Sequence, residues 1–459
     1  MVKTMKISEL LIGYKNKEFS PTEITKLFLE RIEHVNKKLN AFITVSDEHA
    51  LKQAKLAEEN WMKGYQSSVL QGVPISYKDL INTQGIRTTN GSHIDKAYFP
   101  QEDAYVVQKL ETVGAINLGK NNLHEYAFGI TSSNPFYGSV KNPWKTDHIP
   151  GGSSGGSGVA VAANLGLASI GTDTGGSIRI PASACGVVGL KPTVNNISTK
   201  GIKGISWSLD HVGPLTQDVT DLAIIMEGLT DRRYSEHCKS DIRGMRIGVP
   251  TNFFTDHVEP EITKAYQNSL LELEKLGAIL IDIELPFAEA ASNSVFTIAL
   301  AEGASIHETT LHTQQDDYGN DVKAHLLNGT AIGATDYIKA LNIQKEAINQ
   351  LDHVLMDIDL IATPTLPVSP KPIGIEHVET DGLEEDIFTC MTRFTRLFSL
   401  TGHPALSIPV GTTTDNLPIG LQLVSKYHQE PLLIRAGFAF EEACLSDFYK
   451  QRSFIAENI

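Results

Sequence analysis

Gly151-Gly152-Ser153-Ser154-Gly155-Gly156-Ser157, followed by Gly171-Thr172-Asp173-Thr174-Gly175-Gly176-Ser177-Ile178-Arg179-Ile180-Pro181, decides how the rest of the chain is interpreted. The chain has 37 glycines in 459 residues, yet 11 of them lie between Gly151 and Gly189, with six serines and two charged residues. Apolar runs such as Val159-Ala160-Val161-Ala162-Ala163 interrupt the segment, whereas a flexible linker would be polar throughout. We therefore expect an ordered segment whose glycines have a physical purpose.

This segment does not match several known glycine-rich motifs. A phosphate-binding loop needs a lysine after its second glycine, but no lysine occurs between Lys145 and Lys191. A dinucleotide-binding fingerprint follows a strand, and residues 145–150 are not strand-like. Residues 151–155 match the Gly-x-Ser-x-Gly nucleophile elbow, but the strand that should precede this motif is also missing here. A purely structural use of the glycines, in tight turns and close packing, stays open.

A further interpretation uses both serine clusters. Around Gly175-Gly176-Ser177, consecutive backbone N–H groups can point into one concavity and bind an oxyanion. Ser153 lies in a second glycine-rich turn that can approach the first, but a serine hydroxyl needs a base to become a good nucleophile. Lys78 ends the apolar run 72–77, and burial there would lower its pKa and make a neutral amine available. Taken alone, Lys78 is more simply interpreted as a surface lysine.

Composition excludes several classes of protein. With 41% hydrophobic and 20% charged residues the chain is globular, and its net charge of -15 argues against a nucleic-acid or anionic-membrane surface. No apolar run of 18 residues occurs and Met1–Lys6 leads into no signal sequence, so we expect a cytoplasmic protein. The four cysteines match no zinc or redox spacing. His307 and His312 are five residues apart, which separates them by about 140° on a helix, so no metal site is expected.

Strand and helix patterns alternate along the chain. Ser20-Pro21-Thr22-Glu23 forms a capping box that begins an amphipathic helix with Ile24, Leu27, Phe28, Ile32, Val35 and Leu39 on its apolar face. Strands are expected at 41–45, 73–77, 115–118, 167–171, 246–249, 278–283, 359–362, 405–409 and 420–424. Further helices are expected at 47–62, 158–165, 261–276, 294–307, 336–355 and 385–400.

This alternation predicts an α/β protein with a central, mostly parallel or mixed sheet surrounded by helices. No internal repeat or linker is evident, so residues 1–459 are expected to form one large domain. Within it we expect an N-terminal helical segment at about 1–65, a catalytic core at about 66–220 and a second half at about 240–459 that forms the substrate pocket.

Several separate stretches, taken together, resemble the amidase signature family. The similar stretches span most of the chain: 72–79, 134–138, 142–144, 150–157, 171–181, 189–193 and 402–405. The resemblance implies a single α/β domain with a mixed sheet and a Ser-Ser-Lys triad, and it requires no metal or cofactor.

Carried over residue by residue, the resemblance makes Ser177 the acylating nucleophile, Ser153 the bridging serine and Lys78 the base. The oxyanion hole would be formed by the N–H groups of Thr174, Gly175, Gly176 and Ser177. Supporting roles fall to Ser154 and to Asp173 and Arg179, which we expect to pair and hold the loop; an exposed Arg179 is the alternative. Ala127 and Phe128 are expected to line the acyl pocket, with a plain core role for Phe128 as the alternative.

The expected function is hydrolysis of a small-molecule carboxylic acid amide through an acyl-enzyme. The family's glutamyl-tRNA amidotransferase A subunits bind glutamine through an arginine and an aspartate, which align near Ala324 or His325 and at Thr392, so a free-standing amidase is preferred. Such an amidotransferase, a hydrolase of carbamates or urea derivatives and an inactive scaffold remain alternatives. A lipid amidase with a membrane anchor is disfavoured. The sequence leaves the oligomeric state open, with a homodimer as one option.

Overall fold

A computed structural model of the protein describes residues 5–65 and 68–459. Residues 1–4, at the start of the expected N-terminal segment, and 66–67, at the start of the expected catalytic core, lie outside the described residues. The strands are β1 Phe42–Val45, β2 Pro74–Lys78, β3 Ile116–Asn121, β4 Ala168–Asp173, β5 Val188–Lys191, β6 His211–Thr216, β7 Arg246–Pro250, β8 Ile279–Ile283, β9 Leu360–Pro364, β10 His377–Thr380, β11 Leu383–Asp386, β12 Ala405–Thr412 and β13 Pro418–Ser425.

Helices cover both faces of the strands. They are α1 Ile7–Asn16, α2 Pro21–Leu39, α3 Asp47–Met62, α4 Tyr105–Thr112, α5 Gly155–Ala162, α6 Arg179–Cys185, α7 Val219–Leu229, α8 Pro260–Lys275, α9 Ala288–Ile306, α10 Glu308–Thr313, α11 Asn320–Thr330, α12 Ala334–Val354, α13 Ile387–Thr392, α14 Arg396–Leu400, α15 Glu430–Cys444 and α16 Ser446–Asn458. No helix within residues 5–65 or 68–459 is long and apolar enough to cross a membrane.

The described strands form one large mixed sheet and a small hairpin. The large sheet has 11 strands in the order β1-β3-β2-β4-β6-β5-β12-β13-β9-β7-β8. β2 is parallel to β3 and β4, and β7 is parallel to β8 and β9, whereas the β4–β6, β5–β12 and β12–β13 pairs are antiparallel. This confirms the predicted fold class: an α/β domain with a mixed central sheet surrounded by helices.

The predicted elements agree with the structure in type at most places, and the expected helix at 385–400 is the main error. Leu383–Asp386 is strand β11, paired with β10, and only then do the two short helices α13 and α14 follow. The Asp386 side chain caps α13 by accepting the Thr389 N–H. Between the helices, Thr395 Oγ1 donates to the Gly175 carbonyl oxygen (2.6 Å), a contact with a distant loop that periodicity cannot reveal.

The first amphipathic helix is confirmed, with one correction on its apolar face. Ser20 Oγ accepts the Glu23 N–H and the Glu23 carboxylate accepts the Ser20 N–H, so the capping box is present. Ile24, Phe28, Ile32, Val35 and Leu39 are buried, but Leu27 is exposed. Leu27 lies about 100° around the helix from Phe28, which turns it away from the core.

Glycines in the decisive segment permit close packing as well as tight turns. Helix α5 begins at Gly155, three residues before the predicted start, and is buried along its whole length. A Cβ on Gly156 would overlap the backbone oxygens of Asn122 and Ala41. The structural use of glycine that the sequence left open therefore applies at Gly156. Ser153 lies in the loop before α5, and Ser177 lies in the loop after β4.

Candidate active site

Lys78 lies at the end of β2, a strand whose five residues are all buried. Its side chain is 0% exposed, so the interpretation as a surface lysine is wrong. Lys78 Nζ donates to Ser153 Oγ (2.7 Å) and to Thr172 Oγ1 (2.8 Å). Burial lowers the pKa of Lys78 to about 7, although the charges of Asp210 and Asp173 act in the opposite direction. A large fraction of this amine is therefore neutral near neutral pH.

Ser153 and Ser154 lie in the turn that precedes α5. The Gly152–Ser153 peptide bond is cis, a feature that the sequence could not reveal. Ser154 Oγ donates to the Thr172 carbonyl oxygen (3.2 Å), and the Ser154 N–H donates to the Ser177 carbonyl oxygen (3.3 Å). The two serine-containing turns are thus in contact through main-chain and side-chain hydrogen bonds.

Ser177 follows β4 and precedes α6, at the point where the chain reverses beside the first turn. It is 7% exposed and lines a cavity, whereas Ser153 and Lys78 lie fully buried behind it. Ser177 Oγ makes no hydrogen bond to Ser153 Oγ among the described residues. In structures without substrate such hydrogen bonds are often long, and they tighten when the reacting group binds.

Four backbone N–H groups are expected to form the oxyanion hole, and three of them have no partner among the described residues. Among the described residues, the N–H groups of Thr174, Gly175 and Ser177 have no hydrogen-bond partner. The Gly176 N–H instead donates to Asp173 Oδ1 (2.8 Å) and is therefore already bonded in the absence of substrate. Gly176 has a φ of +135°, and a Cβ there would overlap Thr395 Oγ1.

Asp173 and Arg179 form a buried ion pair beneath this loop. Arg179 is 0% exposed, which rules out the exposed alternative, and it donates from Nη2 to Asp173 Oδ1 (2.8 Å) and from Nε to Oδ2 (3.0 Å). Burial alone would raise the pKa of Asp173, but the charge and hydrogen bonds of Arg179 hold it well below its usual range. The carboxylate also accepts the N–H groups of Gly176 and Ile178, which ties the ion pair to the loop.

Sequence reasoning missed most of the partners of Arg179. Its Nη1 donates to Gln422 Oε1 (2.7 Å) and to the Thr395 carbonyl oxygen (2.9 Å), and its Nη2 donates to Ser399 Oγ (2.7 Å). These residues come from β13 and from the α13–α14 region, more than 200 positions later in the chain. No local pattern signals them.

Asp210 is a second residue that sequence reasoning missed. Its carboxylate accepts Thr174 Oγ1–H (2.5 Å) and the N–H groups of Ile205 and Ser206. Burial raises the pKa of Asp210 to about 6, although those hydrogen bonds and the charge of Lys78 oppose the shift. Asp210 thus connects the loop before Ser177 with the segment that closes one side of the cavity.

The cavity beside Ser177 has a volume of about 320 Å³ and mostly apolar walls. It is lined by Ala127, Phe128, Gly129, Ile130, Thr174, Gly175, Ser177, Ile205, Val295, Phe296, Ala299, Leu300, His325, Asp386, Phe388, Thr389, Thr392 and Arg396. Ala127 and Phe128, expected from the sequence to line a pocket, are therefore at this cavity. So are Thr392, aligned with the glutamine-binding aspartate, and His325, one of the two positions considered for the arginine. Arg396, a charged residue in these walls, was not foreseen.

No group of three or more His, Cys, Asp or Glu side chains in the described part of the chain is placed to hold a metal ion. His307 packs edge-on against Tyr126, and its Nδ1 lies 2.9 Å from the Tyr318 hydroxyl. All four cysteines are free thiols.

The fold and the cavity together define the class of protein. A serine that lines a cavity, with free backbone N–H groups beside it and a buried lysine nearby, is typical of enzymes that attack a carbonyl group. The cavity that this serine and Gly175 line is largely apolar, which does not suit the charged phosphates of a nucleotide.

Comparisons with known proteins identify the family. The sequence model of the Amidase family matches residues 23–434. The chain is 36% identical to the A subunit of the glutamyl-tRNA(Gln) amidotransferase of Thermoanaerobacter pseudethanolicus, over 96% of each protein. Among solved structures it is similar to a crystal structure of an amidase (33% identity, TM-score 0.90, 96% and 100% of the two chains). It is also similar to an inhibitor-bound chain from a vestigial protein complex described as revealing the origins of an s-triazine catabolic enzyme (31% identity, TM-score 0.92, 96% and 98%).

The protein therefore belongs to the amidase signature family and is a hydrolase that acts on amide C–N bonds.

Proposed function

We propose that the protein hydrolyses a carboxylic acid amide to the carboxylate and ammonia or an amine, through an acyl-enzyme on Ser177. One observation carries the proposal: Lys78 Nζ is fully buried, lies 2.7 Å from Ser153 Oγ and has a pKa lowered to about 7. A lysine in this state is a competent general base at neutral pH.

In the acylation step, the neutral Lys78 amine accepts the proton of Ser153 Oγ. Ser153 Oγ accepts the proton of Ser177 Oγ as the Ser177 oxygen bonds to the amide carbonyl carbon. The carbonyl oxygen becomes an oxyanion and accepts hydrogen bonds from the free N–H groups of Thr174, Gly175 and Ser177. Collapse of this intermediate breaks the C–N bond, and the relay in reverse protonates the leaving nitrogen.

In the deacylation step, a water molecule attacks the ester carbonyl carbon. The same relay removes one proton from the water, and the Ser177 oxygen leaves and recovers a proton. The products are the carboxylic acid, which ionises, and the free enzyme. Every proton is carried by Lys78, Ser153 or Ser177, so the cycle as proposed uses no cofactor.

We prefer a free-standing amidase to an amidotransferase. The glutamine-binding arginine of the amidotransferase aligns near Ala324 or His325 and its aspartate at Thr392, and none of these residues carries the required side chain. His325 and Thr392 line the cavity. The A subunit of a glutamyl-tRNA amidotransferase remains the second candidate, because relatives with that name are 36% identical over nearly the whole chain. A carbamate or urea-derivative hydrolase would use the same serine and the same relay.

The proposal is tested by ammonia release from a panel of aliphatic, aromatic and amino-acid amides and carbamates, including glutamine. We expect the wild-type enzyme to hydrolyse at least one simple amide without a partner protein. Ser177→Ala should lose roughly 10⁴-fold or more in kcat, because the covalent route is removed. Ser157→Ala is the matched control: Ser157 is also buried in the glycine-rich segment but lies within α5 and not at the cavity.

Different outcomes separate the candidates. Hydrolysis by Ser177→Ala at the wild-type rate would overturn the acyl-enzyme proposal. Activity on glutamine alone, and only after a partner protein is added, would favour the amidotransferase. The mass in solution, measured by light scattering, distinguishes a monomer from the homodimer that the sequence left open.

A further inference from the structure

Arg396, at the start of α14, is a buried arginine that forms no ion pair or hydrogen bond with the described residues. It is 2% exposed, yet none of its guanidinium nitrogens has a hydrogen-bond partner among the described residues, and Nε and Nη1 are fully enclosed. Burial lowers the pKa of Arg396 to about 10, so the group remains charged at neutral pH. Leaving a buried charge without a partner is costly, and proteins seldom do so without a ligand to supply one.

Two other deeply buried arginines, Arg179 and Arg452, have hydrogen-bond acceptors. Arg179 is bonded to Asp173, Gln422, Ser399 and the Thr395 carbonyl oxygen. Arg452 donates to the Gly186 carbonyl oxygen (2.9 Å). Arg396 therefore differs from both in having no acceptor, even though the same helix contributes to the network of Arg179.

The Arg396 side chain runs from the oxyanion loop to the cavity wall. A Cβ on Gly175 would lie 3.9 Å from Arg396 Cγ, so the stem passes beside the loop that precedes Ser177. The guanidinium carbon lies 4.3 Å from the centre of the Phe296 ring. Both Phe296 and Arg396 line the cavity that contains Ser177. The unsatisfied charge is thus in the same space as the reacting group.

The charges of Glu385 and Asp386 act to raise the pKa of Arg396, but neither carboxylate forms an ion pair with it in the described residues. Glu385 pairs with Arg393 at 3.4 Å. Asp386 lies at an exposed position, and its Oδ1 accepts the Thr389 N–H. His325, across the cavity, has a pKa lowered by burial and packs against Phe388. Arg396 is therefore the one buried, charged side chain among the described residues that line the cavity.

We propose that Arg396 binds a carboxylate at the end of the acyl group, so that the preferred substrates are monoamides of dicarboxylic acids. This inference rests on the proposed function, because it names the substrate class of the same site. The apolar walls contact the intervening methylene chain, and the carboxylate accepts charge-assisted hydrogen bonds from Arg396. Arg396 acts as a specificity residue and does not take part in the chemical step.

The test compares succinamate, glutaramate and adipamate with butyramide, valeramide and hexanamide, their neutral counterparts of equal chain length. We expect the wild-type enzyme to have a higher kcat/KM for at least one acidic amide than for its neutral counterpart. Arg396→Met should lower the acid-to-neutral ratio of kcat/KM roughly 100-fold, mainly through KM. Arg396→Lys should keep part of the preference, because lysine retains the positive charge but lacks the paired N–H donors of the guanidinium group. Arg452→Met, a buried arginine outside the cavity, should leave the ratio unchanged.

A binding measurement makes the result independent of turnover. Calorimetry with Ser177→Ala should show that succinate, glutarate or adipate binds more tightly than the monocarboxylate of equal length, and that adding Arg396→Met removes the difference. Binding that depends on Arg396 in an enzyme that hydrolyses no amide would refute the proposed function and leave this subsite standing. Equal binding of the two acid types, or an acid-to-neutral ratio that Arg396→Met and Arg396→Lys leave unchanged, would overturn the inference.

Discussion

Lys78 shows how the environment of a single residue changes its chemistry. An exposed lysine is protonated at neutral pH and cannot act as a base. At the end of β2 the ammonium has lost its hydration, and its nearest acceptors are two hydroxyl groups and no carboxylate. Desolvation therefore outweighs the attraction of the more distant Asp210 and Asp173, and the pKa falls to about 7.

This shift predicts the pH dependence of the reaction. Below pH about 7 the folded enzyme holds Lys78 protonated, so log kcat/KM should rise with a slope of one up to that pH and then level off. Thr172→Val removes an acceptor that stabilises the charged amine, so the midpoint should move to lower pH. The measurement is a pH profile of kcat/KM for both enzymes. A wild-type profile that is flat through neutral pH would contradict Lys78 as the base.

At the scale of elements, the sequence predicted what depends on local pattern. The capping box of α2 and the bounds of α3 agree with the structure, as does the apolar spacing of α2 apart from Leu27, because they rest on contacts between residues a few positions apart. The split of 385–400 into β11, α13 and α14 was not predictable, since it depends on contacts with Gly175 and Arg179. The hydrogen bond from the Gly176 N–H to Asp173 was also not predicted. The direction of an N–H group depends on the backbone dihedral angles, which a sequence pattern does not reveal.

The ion pair between Asp173 and Arg179 should stabilise the junction of β4, α6 and α14. Arg179→Met leaves the Asp173 carboxylate buried without its main partner, and we expect a loss of about 3–5 kcal/mol in the free energy of unfolding. Urea denaturation followed by circular dichroism measures this change. Arg243→Met is the control, because Arg243 pairs with Asp241 at the surface, and its midpoint should match the wild type. Equal midpoints for both variants would refute a stabilising role for the buried pair.

At the scale of the whole molecule, the sheet brings together segments that are far apart in sequence. Lys78 ends β2, Ser153 precedes α5 and Ser177 follows β4, and the adjacency of β2 and β4 brings these segments together. The second half supplies the opposite wall through α9, α11, α13 and α14. The motifs predicted the first group of residues, but the cavity and Arg396 emerge only when both halves of the chain are folded together.

The reactivity of Ser177 towards a fluorophosphonate probe is the most direct test of the acyl-enzyme proposal. We predict one adduct per chain, located by mass spectrometry on the peptide that contains Ser177, absent in Ser177→Ala and formed far more slowly in Lys78→Ala. An adduct on another residue, or labelling of Ser177 at the same rate with and without Lys78, would contradict it.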